Sequence, residues 1–490
     1  MPRDASPAAA PGGQLRASIM GVLLFSAVAG GTLLFQPQPL LSDPIDLGGL
    51  PEIGSRNGVL AATLVAAPRT VHIGKASFLG AGFNGSYGGP VLRVRAGDRV
   101  RLHVVNRMAD AINLHFHGMR VSPQGHGDNV RIAIPPGQSF DYDFGIPPNH
   151  PPGLFWYHDH APGAAEAHVT AGLSGALLVE GFAARFAGLS AVPQKLLVLK
   201  DWNDSHCTGI FLRRELHCRV VSINAQSDWR DVLPPGGVEL WRVSNQGANL
   251  TLHLRSPGLM FRVIGRDGMP ARNTAQSDRF DIMPASRVDV LLRAASPGLH
   301  RLFADSVLTG AGQALTTERA IGGILNGPYI SATPLNPSAP PQQDLRAWHV
   351  DARRTIRFTQ DNAKGEYYIN GKLFDPARTD FRVPLGNVEE WTVQNATDDF
   401  HEFHIHQVGF EVTEINGVAQ TFSGYVDDVA VPTHGEVRVL IAFTDPVIVG
   451  HIMFHCHVLN HEDHGMMSML EVYRPGVAHM CRFGAQGSLK

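Results

Sequence analysis

Three stretches of this chain repeat one pattern of apolar and polar positions. Gly97-Asp98-Arg99-Val100-Arg101-Leu102-His103-Val104-Val105-Asn106 alternates after a Gly turn. Gly237-Val238-Glu239-Leu240-Trp241-Arg242-Val243-Ser244-Asn245 and Gly386-Asn387-Val388-Glu389-Glu390-Trp391-Thr392-Val393-Gln394-Asn395 follow the same rhythm. A period of two places alternate side chains on opposite faces, the mark of a half-buried strand. The closing Asn residues lie 139 and 150 positions apart, a domain-sized period, so three related β domains are expected. Short strands and turn signals elsewhere predict an all-β chain of Greek-key sandwiches or barrels. The Pro-rich stretch from Asn326 to Gln343 predicts the linker between the second and third domains. The expected division is 1–50 for a leader and linker, then domains at 51–185, 186–335 and 336–490.

Composition changes this picture little. At 490 residues the chain exceeds one ordinary core, and 44% hydrophobic with 17% charged residues describes a foldable globular protein. A net charge of −3 gives no reason to expect nucleic acid or an anionic surface as partner. The N-terminus says more. Arg3 and Arg16 precede an uncharged stretch from Ala17 to Phe35, with Ala27-Val28-Ala29 as a small-residue cleavage signal. That arrangement predicts export, periplasmic or extracellular, with an uncleaved anchor through residues 17–35 as the alternative. Cys207 and Cys218 are spaced for a local disulfide in an oxidising compartment, or are free thiols, and Cys481 lies in the tail.

The chemistry lies in four His-x-His motifs: His115-Phe116-His117, His158-Asp159-His160, His404-Ile405-His406 and His455-Cys456-His457. Residues i and i+2 of a strand share a face, so each motif offers two imidazoles side by side. Neutral imidazole suits copper, and eight such groups exceed what one zinc needs, which points to a cluster of several metals. After Asn245 only His253 follows, so the outer domains carry the pairs and the middle one does not. Cys456 must face away from His455 and His457, toward a second metal. With His461 five residues on, Met466 five further and His401 ahead of the third motif, it completes the two-His, one-Cys, weak-Met set of a blue-copper electron-transfer site.

With these motifs the sequence resembles the three-domain multicopper oxidases, the family of laccases, bilirubin oxidase and bacterial cuprous oxidases. The resemblance runs from about Val71 to Tyr473 and implies three cupredoxin-like domains with four copper ions. It implies a type 1 copper on His401, Cys456 and His461 with Met466 axial. It implies a type 2 copper on His115 and His404, and a type 3 pair on His117, His158, His160, His406, His455 and His457. The cluster would sit between domains one and three. Glu462 and Asp128 match carboxylates that the family places in its oxygen and proton channels, although Asp128 stands about two residues further from His115 than the pattern. Asp427-Asp428 reads as a strand start, and His126, His168, His451 and His464 fit no ligand position.

The implied reaction is one-electron oxidation of a donor coupled to reduction of dioxygen to water. The chain has 12 Met and no Met-dense segment between Asn370 and Gly450. That favours an open type 1 site for phenols or aromatic amines, with an exposed edge of His401 or His461 receiving electrons. Oxidation of Cu(I) or Fe(II) is the alternative donor chemistry. A pure electron-transfer protein would leave three motifs unused, and a copper nitrite reductase would lack the complete cluster.

Overall fold

The computed structural model describes residues 44–203, 219–233, 237–308, 318–328 and 337–476. Cys207, Cys218, Cys481 and the apolar stretch 17–35 lie outside the described residues. The fold is nearly all β, with two short α-helices among the described residues, Ala165–Ala171 and Leu459–Asp463. No helix among the described residues is long and apolar enough to cross a membrane.

Among the described residues six sheets pack as three sandwiches, each around its own hydrophobic core. In the first, the sheet through Val59–Ile73 and Arg99–Asn106 faces a sheet whose outer strand is His115–His117, paired to Gly153–His158. In the third, the sheet through Val388–Asn395 and Glu436–Ala442 faces one through Gly450–Cys456, His401–Ile405 and Asp428–Val431. The middle sandwich is built likewise around Val238–Asn245 and Leu250–Arg255. Residues Ile45–Asp46, expected in the linker, form a parallel edge strand beside Gln194 and Lys195 of this middle sandwich.

The repeated Asn has one structural job in all three sandwiches. Asn106 Nδ2 donates to the carbonyls of Asp110 and Ile134, Asn245 Nδ2 to Leu250 and Ile282, and Asn395 Nδ2 to Asp399 and Val431. Its Oδ1 accepts from the backbone N–H two residues on, at Met108, Gly247 and Thr397. The amide thus closes an Asx turn and pins it to a neighbouring strand, satisfying backbone groups that would otherwise be stranded in a buried corner. In the outer two sandwiches, the strand leaving that corner is the one that carries histidines.

Candidate metal centre

Strand alternation decides which side of the third sandwich each ligand-type residue occupies. Phe403, Ile405, Ile452, Phe454 and Cys456 belong to its core, so His404, His406, His455 and His457 project from the opposite face. In the first sandwich Phe116 enters the core and His115 and His117 project outward. The two outward faces meet. The rings of His115 and His406 stack at 3.7 Å and those of His117 and His404 at 4.0 Å between centroids. His158 and His160 join from the first sandwich, and all eight histidines are buried.

These nitrogens are arranged to hold metal. Nε2 of His455 lies 3.3 Å from Nε2 of His160 and 3.1 Å from Nε2 of His406. In the groups His160, His406, His455 and His115, His404, His406, the ligand atoms all lie within 4.8 Å of one another. The far nitrogens are fixed elsewhere: His404 Nδ1 by the Asp427 carbonyl at 2.6 Å, His158 Nδ1 by the Asp159 carbonyl at 2.9 Å. The inward atoms His115 Nε2, His117 Nδ1, His158 Nε2 and His404 Nε2 have no hydrogen-bond partner. Buried polar atoms are normally paired, and these converge on one space, the pattern a cation would satisfy. Burial and mutual repulsion hold the imidazoles well below their ordinary pKa, so they are neutral and free to donate lone pairs.

On the core side, Cys456 Sγ lies 3.6 Å from Nδ1 of both His401 and His461, and those two nitrogens are 3.0 Å apart. Thr397 Oγ1, 2.9 Å from His401 Nε2, leaves Nδ1 to face the sulfur. Met466 is fully buried, and its carbonyl accepts from the Cys456 N–H at 3.1 Å. Burial without a metal pushes the Cys456 thiol up, and a bound cation would reverse that by favouring the thiolate. A thiolate and two imidazoles form a donor set that fits copper, with Met466 packed in the same core.

Carboxylates frame the histidine cluster. Asp128 does reach His115: both its oxygens lie 3.0 Å from Nδ1, and it accepts from the Phe116 N–H and Gln407 Nε2. The turn in which the Gly127 N–H donates to Gln124 O absorbs the extra loop residues. Burial pushes Asp128 up to about 7. Glu462 is fully buried, with Oε2 2.9 Å from His455 Nδ1 and Oε1 3.5 Å from His160 Nε2. Burial pushes it up to about 7 as well, although His455 Nδ1 is already turned toward the Cys456 carbonyl at 3.0 Å.

Several residues here were not marked by sequence pattern. Asp427, expected to be structural, lies 3.2 Å from His117 Nε2 and is held by Arg287 of the middle sandwich at 2.9 and 2.5 Å. Arg287 is itself fully buried, and Asp428 accepts from Ser286 beside it. Asp159, inside a motif, receives the Asn113 N–H and holds His168 Nδ1 at 2.8 Å. The expectation of an exposed imidazole edge is corrected. His401 is 0% and His461 1% exposed, because the strand Glu366–Ile369 lays Tyr367 over the latter.

Multicopper oxidase domain models match residues 69–183, 224–322 and 336–475. This chain belongs to the multicopper oxidase family, whose domains are cupredoxin-like and whose metal is copper. It is 25% identical to the multicopper oxidase mco of Staphylococcus aureus, over 85% of this chain and 89% of that one. It is 28% identical to the cell division protein FtsP of Edwardsiella tarda, over 74% and 79%. The solved multicopper oxidase of Campylobacter jejuni, described as a metallo-oxidase, superposes with TM-score 0.74 at 26% identity, over 88% and 94%. A laccase-like oxidase from Ochrobactrum has the same fold, with TM-score 0.71 at 24% identity over 88% and 100%.

Proposed function

We propose that this protein is a laccase-like oxidase that takes single electrons from phenolic or aromatic-amine donors and reduces dioxygen to water with four. One observation carries the reading: the tripeptide His455-Cys456-His457 touches both centres, its sulfur on the core side and its imidazoles in the seam. His401, Cys456 and His461, with Met466 axial, would hold a type 1 copper. His115 and His404 would hold type 2, and His117, His158, His160, His406, His455 and His457 the type 3 pair. Copper bound there would supply a one-electron acceptor beside a site for oxygen reduction.

The protein's own groups do the rest. The Cys456 carbonyl, 3.0 Å from His455 Nδ1, joins the two centres by a short bonded path. Glu462, beside His455 and His160, is placed to hold a proton at its carboxyl near neutral pH, and Asp128 to do so at His115 Nδ1. The buried seam excludes bulk water from the reacting space. The domain division given above, and export with or without the 17–35 anchor, belong to the same proposal. Cell fractionation detecting the chain only in the cytoplasm would remove the export part.

Oxidation of Cu(I) or Fe(II) is the second reading, favoured by the likeness to the Campylobacter metallo-oxidase. Copper analysis and oxygen uptake separate the possibilities. Four coppers per chain with rapid uptake on a phenol alone supports the laccase-like reading. Uptake confined to Cu(I) supports the metallo-oxidase, and a single copper in a fully loaded sample overturns both.

A further inference from the structure

The ring of Tyr367 lies on the imidazole of His461, with centroids 4.3 Å apart and planes 24° apart. Stacking at this distance leaves His461 only 1% exposed while Tyr367 stays half-buried. The covering strand is fastened to the loop that carries His461. The Tyr367 N–H donates to the His464 carbonyl at 3.0 Å and the Phe374 N–H to the Gly465 carbonyl at 3.1 Å. Gly465 allows this approach: its φ is +111°, and a Cβ there would meet Leu373 Cδ2 at 2.5 Å. Leu373 is 38% exposed, and exposed His464 stands edge-on to the tyrosine with centroids 6.5 Å apart. The outer wall above His461 is therefore aromatic and apolar, with Tyr367 at its centre.

We propose that Tyr367 is the electron port of this protein: an aromatic donor stacks near its outward ring face, and the electron crosses that ring into His461. This rests on the oxidase reading above and deepens it by naming the residue that selects the donor. In each transfer the donor would lose one electron, and a copper held by His401, Cys456 and His461 would gain it. A phenol donor releases its proton to solvent. Tyr367 keeps its own electrons and proton and serves as a bridge. A ring face offers a flat aromatic partner a stacking surface, whereas a small hydrated ion is kept one ring thickness from the imidazole.

The test compares copper-loaded wild type with Y367F, Y367L and Y367A. The readouts are kinetics with a methoxyphenol and with Cu(I), the reduction potential of the blue centre, and its EPR spectrum. Y367F, which keeps the ring, is expected to hold the phenol KM within about twofold. Y367L covers His461 without a ring and should raise that KM roughly three- to tenfold, with the potential unchanged. Y367A should raise the KM similarly, oxidise Cu(I) faster than wild type, and show a lower potential, because water reaching His461 favours the more highly charged state. A retained type 1 EPR spectrum shows that each variant has kept its site. An unchanged phenol KM in both Y367L and Y367A overturns the proposal. A wild type that oxidises Cu(I) but no phenol also overturns it, by removing the donor class. Failure of the oxidase reading looks different, since the wild type then consumes no oxygen with either donor.

Discussion

His115 and His253 follow equivalent Asn turns in the first and middle sandwiches, and each has an aspartate on Nδ1, Asp128 at 3.0 Å and Asp281 at 2.6 Å. Both also project from the face opposite the core, since Phe116 in one strand and Leu252 and Leu254 in the other point inward. What differs is the partner on that outer face. Against His115 lies the third sandwich with four more histidines, and the site is buried. Against His253 and Asp281 lies water, which wets about a third and two thirds of their side chains. The same local chemistry becomes a candidate copper ligand in one place and a surface ion pair in the other. Docking of domains, more than the strand itself, makes the metal centre.

The strongest way to break this comparison is to remove the ligand of the His455-Cys456-His457 tripeptide that faces inward. Cys456→Ser should abolish the blue colour and donor oxidation while the outward histidines keep their copper, because they sit on the other face of the strand. Metal analysis with optical and EPR spectra checks this. Retained turnover would mean that electrons reach the seam by a path avoiding the sulfur.

The middle sandwich still acts on the seam, through Arg287. Replacing it by Met strands Asp427 in a buried space and removes the guanidinium beside Asp267, which keeps only the backbone N–H of residue 287; an unpaired buried carboxylate costs about 3–5 kcal/mol. Thermal unfolding of copper-free Arg287→Met should fall clearly below wild type, and copper near His117 should be held more weakly. An unchanged midpoint would show that the middle domain is a spacer only. A smaller effect is expected at Glu462, where no fold contact is lost. Glu462→Gln keeps the shape but not the proton, and should slow reoxidation by dioxygen by about 10²-fold while donor oxidation is kept. Stopped-flow measurement of the two half-reactions separates them.

How much of this was legible in the sequence follows from the same contrast. The histidines and Cys456 could be sorted to opposite faces from alternation alone, because a strand fixes that geometry locally. The three-domain repeat was legible because Asn106, Asn245 and Asn395 keep one hydrogen-bonding job. Arg287 and Asp427 were not, since they lie 140 positions apart and meet only when the middle and third sandwiches dock. Tyr367 was missed for a related reason. Nothing in Glu366–Ile369 marks a site, and the reading of an open imidazole failed because a strand from the opposite sheet of the sandwich covers it. Sequence showed which atoms could bind metal, but not what would cover them.

The mildest change sharpens the comparison most directly. Asp281, by its hydrogen bond, raises the His253 pKa above its ordinary value, so the folded state favours the imidazolium. A group raised on folding stabilises below its unfolded pKa of about 6.5 and loses that contribution as pH climbs through the folded value. Both partners are wet, so the contribution is roughly 0.5 kcal/mol and weakens with salt. His253→Ala should therefore lower the thermal midpoint slightly at about pH 5, leave it unchanged at about pH 9, and alter neither copper content nor turnover at any pH. His115→Ala, with the same aspartate pairing, should instead lose copper and activity across that whole range. If His253→Ala also lost copper, the middle sandwich would hold a ligand role, and the distinction between wet and docked faces would fall.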